Sequence, residues 1–223
     1  MDWMEQIDIY CERTDVSYWS EPVNAITNAA FLIAAAYVWP RTAGAPLARL
    51  LAVILAAIGV GSYLFHTHAT AWAAAADTTP ILLYILVYIY AANRQFWGLG
   101  WPLAALGAAA FVPLTIVATP LIERLPFFGI SAFYWPVPIL IAAYAVALRT
   151  RRPETARGLG IGAGILCASL VFRSLDMGVC EAVPLGTHFM WHILNGVMLG
   201  WMILVYLGDL RRSRPLEGRA ARG

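Results

Sequence analysis

The chain contains no lysine, and charged residues of every kind make up only 13% of its 223 positions, against 61% hydrophobic. With a mean hydropathy of +0.68, so little charge excludes a water-soluble domain of this length and places the protein in a bilayer. Its 15 basic residues are all arginine, and a net charge of +2 gives no reason to expect a nucleic-acid partner. Also lacking is the basic and then apolar start of a cleavable signal peptide. The first 21 residues hold Asp2, Glu5, Asp8, Glu12, Asp15 and Glu21 against Arg13 alone, so the N-terminus is expected to be mature sequence. Cysteine is scarce too: Cys11, Cys167 and Cys180 match no zinc-finger spacing and leave room for one disulfide and one buried thiol.

What the chain has in quantity is apolar runs. A spanning helix needs roughly 20 mainly apolar residues, and seven stretches qualify, centred on residues 22 to 40, 46 to 66, 78 to 92, 101 to 119, 130 to 148, 158 to 176 and 187 to 208. The third is the shortest. Breaks fall at Pro40 to Pro46, Gly98 to Pro102, Pro120 to Pro126, Arg149 to Pro153 and Gly178 to Gly186. The predicted fold class is an all-α integral membrane protein, a seven-transmembrane-helix bundle forming a single domain over 1–223. Residues 1–21 are expected to be an acidic extracytoplasmic segment and 209–223 an Arg-rich cytoplasmic tail.

Seven spans put the N-terminus and the loops 67 to 77, 120 to 129 and 177 to 186 on one face. That face holds Arg13, Arg124 and Arg173, whereas Arg41, Arg49, Arg94, Arg149, Arg151, Arg152, Arg157, Arg211, Arg212, Arg214, Arg219 and Arg222 fall on the other. The positive-inside rule then predicts a multi-pass protein of the plasma (inner) membrane with its N-terminus outside and its C-terminus cytoplasmic.

Four histidines stand out against this background. His66 closes the second span four residues after Ser62, so the two share a helical face. His188 and His192 repeat the i, i+4 spacing at the start of the last span, also an outer end. Three neutral imidazoles reaching one depth from two helices make a three-nitrogen metal site with a fourth position open to water, although such a pair also serves interhelical hydrogen bonding. His68, two residues past His66, is expected to point elsewhere. Asp77, at the outer start of the third span, has the chemistry of a general acid/base, and Ser62 that of a donor to a developing oxyanion. The carboxylates of Asp8, Glu12, Asp15 and Glu21, with the oxygen of Asn24 nearby, suit Ca²⁺, or else form a solvated acidic segment.

In order along the chain stand Tyr10-Cys11-Glu12 with Glu21-Pro22-Val23-Asn24 and Thr27-Asn28; Ser62-Tyr63-Leu64-Phe65-His66 with Asp77 and Pro80; Arg173, Asp176 and Cys180; and His188-Phe189-Met190-Trp191-His192-Ile193-Leu194. This set resembles the alkaline ceramidases, within a superfamily of seven-helix membrane hydrolases that includes the adiponectin and progestin receptors. The resemblance implies Zn²⁺ on His66, His188 and His192, Ser62 and Asp77 in the active site, and Ca²⁺ on the acidic N-terminal segment. It also implies a membrane lipid substrate, ceramide, hydrolysed to a sphingoid base and a fatty acid. The chain departs from the pattern in a shorter stretch between Glu12 and Glu21 and in Ile9, beside Asp8, where an acidic ligand is expected. Because the topology puts Cys11 and Cys180 on the outer face, a disulfide between them is expected, with Cys167 a mid-span thiol. Two other functions fit the same residues: a non-enzymatic lipid receptor of the superfamily, and a haem-binding electron-transfer protein with His188 or His192 as axial ligand.

Overall fold

A computed structural model describes residues 2–220, with side chains described through Ser213. Eight α-helices follow in order: α1 Pro22–Thr27, α2 Ala29–Val38, α3 Pro46–His68, α4 Ala71–Gln95, α5 Trp101–Ile122, α6 Pro136–Leu148, α7 Pro153–Leu175 and α8 His188–Ala220. Five of them carry proline at the first or second helical position (α1, α3, α5, α6 and α7). There the missing N–H is one that the helix leaves unpaired anyway.

Among the described residues six helices are long and apolar enough to cross a membrane: Pro22–Thr42, Pro46–His68, Ala71–Gln95, Trp101–Ile122, Pro153–Leu175 and His188–Ser213. The first is α1 and α2 joined at Asn28 and extended by a 3₁₀ turn, Trp39–Thr42. The expected seventh, over 130 to 148, is helical only across the 13 residues of α6, a rise of about 20 Å against a hydrocarbon core of about 30 Å. Pro136 and Pro138 have no N–H to continue a ladder upstream, so Gly129–Ser131 forms a 3₁₀ turn instead. The segment nonetheless runs from one end of the bundle to the other. Ser131 pairs with Ser174 at 2.9 Å near the end of α7, while Arg152, just past α6, reaches Asp209 of α8 at 2.7 Å.

Two expected boundaries are corrected. The loop 67 to 77 is reduced to Ala69 and Thr70, because α3 ends on Ala69 in the left-handed conformation (φ 46°) and α4 starts at Ala71 rather than 78. The run Ala71-Trp72-Ala73-Ala74-Ala75-Ala76 is too weakly apolar to look like a span, yet alanine is the best helix former. Asp77 therefore lies in the second turn of α4, not at its entrance. The expected tail from 209 likewise begins as a continuation of α8; 221–223, with Arg222, and the side chains of Arg214 and Arg219 lie outside what is described.

Helix α8 is the axis of the bundle, packed against α1, α2, α3, α4 and α7, while α3 lies along α4 and α6 along α7. Leu51, Leu55, Ile58, Leu159, Leu170, Met202 and Ile203 are fully buried between them. Leu103, Leu106, Ile116, Ile139 and Val146 face outward, a distribution suited to lipid rather than water. Buried hydroxyls within this core are paired: Tyr84 donates to the Leu199 carbonyl at 2.7 Å and Tyr88 to that of Met202 at 3.1 Å.

Candidate metal centre

Close helix approach builds one end of the bundle. At Gly61 a Cβ would stand 2.1 Å from the Ala76 carbonyl oxygen, so only glycine lets α4 lie against α3 here, which brings Asp77 beside Ser62. The N-terminal segment laces the same end. Ile7 N–H donates to the Ala69 carbonyl at 2.7 Å, and the amides of Ala71 and Trp72 donate to the carbonyls of Glu5 and Trp3 at 3.0 and 3.1 Å. Cys11 and Cys180 are disulfide-bonded across 169 residues of sequence, tying this segment to the loop before α8. Asp176 completes the attachment: its carboxylate accepts from the amides of Cys11 (2.9 Å), Thr187 (2.7 Å) and His188 (2.8 Å). Asp176 thereby caps the start of α8, where free N–H groups and the helix dipole favour an anion.

His66, His188 and His192 are at most 1% exposed, and a nitrogen from each lies within 4.8 Å of those from the other two. The Nδ1 of His66 faces Glu21 Oε2 at 2.6 Å, and a carboxylate there fixes Nδ1 as the protonated nitrogen. The Nδ1 of His192 lies 2.9 Å from Thr27 Oγ1, whose own proton goes to the Val23 carbonyl at 2.7 Å, so this hydroxyl accepts from the imidazole. With both imidazoles neutral, as metal ligands must be, both Nε2 atoms are lone pairs, and they face one another at 3.0 Å. Two lone pairs so placed repel unless a cation lies against them. Zn–N bonds of about 2.0–2.1 Å in a tetrahedral site hold two nitrogens about 3.3 Å apart. His188 adds a buried Nδ1 with no hydrogen-bond partner, its ring stacked on Tyr10 with centroids 3.6 Å apart. The donor set fits zinc. His68 is exposed and packs on Tyr18 and Trp72, away from the cluster.

Ser62 is 3% exposed and stands beside Asp77 where α3 meets α4, and the Asp77 Oδ1 is buried without a fixed partner. The sequence shows no basic residue between α3 and α4, but Arg173 of α7 places a guanidinium at this end of the bundle. That guanidinium is buried; it donates to the Ile130 carbonyl, to Ser131 Oγ at 3.3 Å and to the Tyr10 hydroxyl at 3.5 Å. Below the histidines opens an apolar cavity between α4, α6 and α8. Its upper wall includes Phe31 and Trp191, whose rings stand 6.2 Å from His192 and 6.4 Å from His188.

The four N-terminal carboxylates go separate ways. Asp8 is exposed, and Asp15 is exposed and accepts from the Ser17 amide at 2.8 Å. Glu12 is buried with both oxygens on the helix start: Val23 N–H at 2.7 Å and Asn24 N–H at 2.8 Å. Burial raises its carboxyl above the usual range despite these donors. Glu21 Oε1 accepts from Arg13 Nε at 2.5 Å and Oε2 from His66 and from Asn24 Nδ2 at 3.1 Å. Burial pushes Glu21 up, but the His66 imidazole and the Arg13 guanidinium outweigh it and hold the carboxyl below its ordinary value. Among the described residues the three histidines are the one group of three or more that converges as metal ligands.

Thr27 and Glu21, which set the tautomers of two histidines, were not assigned that role from the sequence. A hydroxyl or a carboxylate partner for imidazole is unreadable without knowing which helices meet. Arg13 had one visible signal, as the lone cation in a stretch of carboxylates. A family model described as Ceramidase matches residues 6–216 of the chain. No curated protein matches it.

Proposed function

The chain belongs to the ceramidase family, and on that premise we propose that it is a zinc-dependent hydrolase of membrane lipid amides, with ceramide the leading substrate. The observation that carries this reading is the convergence of three buried histidines, with the Nε2 atoms of His66 and His192 facing at 3.0 Å and His188 beside them. A zinc ion held by these three nitrogens would supply Lewis-acid activation of water and of an amide carbonyl.

The remaining chemistry falls to the chain's own groups. Asp77 Oδ1, buried and without a fixed partner, takes the proton lost by the attacking water and delivers it to the leaving amine nitrogen as the C–N bond breaks. Ser62 Oγ–H turns from Asp77 to donate to the oxyanion that develops on the former carbonyl oxygen. Arg173, held by the Ile130 carbonyl, Ser131 and Tyr10, places a buried guanidinium at the same end of the bundle. The products are a fatty acid and a sphingoid base. Apolar chains rest in the cavity under Trp191, water is kept from their length by its lining, and entry from the bilayer spares the substrate any passage through water.

The same proposal includes orientation and span count. Segment 130 to 148 crosses the bundle as a seventh, partly irregular span, and the arginine distribution sets the C-terminus in the cytoplasm and the histidines near the outer face. The Cys11–Cys180 bond agrees with an oxidising compartment on that side. A haem site fits poorly, since axial ligands must stand on opposite faces of a macrocycle and the two Nε2 atoms lie 3.0 Å apart. A receptor without catalysis would fill the same cavity and release nothing.

Mass spectrometry of lipids after incubation with ceramides, N-acyl amino acids and N-acyl ethanolamines separates these readings. Release of fatty acid from at least one class, abolished by a zinc chelator, is expected; intact lipid in every incubation of zinc-loaded protein would favour the receptor.

A further inference from the structure

Arg13 is the cation at this end of the bundle that the hydrolytic chemistry leaves without a task. It is 7% exposed, and its guanidinium donates to three oxygens from three segments: Glu21 Oε1 at 2.5 Å, the Asp15 carbonyl at 3.0 Å and the His66 carbonyl at 3.0 Å. The His66 carbonyl belongs to the last turn of α3, which ends at His68, so it is one of the oxygens a helix leaves unpaired at its negative end. A carboxylate, a loop carbonyl and a helix-end carbonyl converging on one point form the kind of oxygen seat that a hard divalent cation takes. Here a side chain fills it.

The calcium that the resemblance implies for this segment does not fit these residues. Both oxygens of Glu12 accept backbone amides, both oxygens of Glu21 are engaged, and Asp8 and Asp15 are exposed. Asn24 Oδ1 is buried without a partner, but one neutral amide oxygen does not make the shell of about six to eight oxygens that calcium takes. A second cation beside the guanidinium would meet like-charge repulsion. We propose that Arg13 is a built-in cation that stands where a divalent ion would otherwise bind, and that it positions the metal ligand His66 through Glu21 and through the backbone of α3. Zinc binding and hydrolysis in this chain are accordingly independent of calcium.

The inference rests on the zinc reading, and zinc affinity tests it, measured by competition with a chromophoric chelator on the full-length protein in detergent or nanodiscs. Wild-type affinity and melting temperature should be unchanged by millimolar Ca²⁺. Arg13→Met, which keeps bulk and loses charge, should bind zinc about 10- to 100-fold more weakly, the usual effect of removing support from a metal ligand. Arg13→Lys should recover part of that loss, whereas a packing role would make Lys no better than Met. Wild-type affinity in Arg13→Met, or zinc binding tightened by Ca²⁺ in the wild type, would overturn the proposal. If Arg13→Met does not fold, the calcium titration of the wild type decides alone. A wild type that holds no zinc at all would refute the metal reading instead, and a calcium-dependent rise in its melting temperature would still overturn the role given to Arg13.

Discussion

Asp77→Asn is expected to leave the protein folded and zinc-loaded while lowering turnover by roughly 10² to 10⁴, the range that general acid/base catalysis contributes. Asparagine has the shape of aspartate, and the α3–α4 contact at Gly61 is made by backbone against backbone, so it is preserved. What it cannot do is carry a proton from water to the leaving nitrogen. Two features favour the proposed proton-carrier role over helix packing: Oδ1 is buried with no fixed partner, and Asp77 stands where α4 meets α3 at Gly61, with His66 in the last turn of that same α3. If the carboxylate were structural, stability or zinc content would fall along with activity. Hydrolysis at the wild-type rate by folded, zinc-loaded Asp77→Asn would remove Asp77 from the mechanism.

His66→Ala, His188→Ala and His192→Ala should each reduce bound zinc from about one equivalent to background and abolish hydrolysis, because a site with three protein ligands keeps no firm hold on the metal with two. His68→Ala, whose ring lies on the surface against Tyr18 and Trp72, should retain both. Elemental analysis of purified variants, with helical content checked by circular dichroism, reads the result. Full zinc in any of the first three would take that histidine out of the ligand set. The cost to the fold should be uneven: His66 holds Glu21 and with it Arg13, while the His188 ring makes packing contacts, stacked on Tyr10 and Trp191.

Much of this was legible in the sequence for identifiable reasons. The i, i+4 spacing of Ser62 with His66 and of His188 with His192 fixes a helical face, and spans of about 20 apolar residues fix a depth, so residues on different helices can be placed at one level before any contact is known. The start of α4 was not legible, since an alanine-rich turn lacks the hydropathy of a span and is helical by propensity. Nor was the shortness of α6, where two prolines end the ladder inside an otherwise apolar run. Partners within the site were hidden for another reason. Thr27 against His192, Arg173 against Tyr10 and Arg13 against the end of α3 are contacts between elements far apart in the chain, and no periodicity encodes them. The acidic N-terminal segment was read by its composition, whereas the fold gives each carboxylate a separate partner or leaves it in water.

Metal-binding and hydrolysis are claimed for one and the same centre, and back-titration tests that claim most directly. Protein stripped of metal by chelation is supplied with zinc in steps, and fatty acid release from the preferred lipid amide is measured against bound zinc at each step. Activity should rise linearly with occupancy and level off at about one equivalent, with the same titration silent in His192→Ala. Undiminished hydrolysis by the metal-free protein would contradict the account.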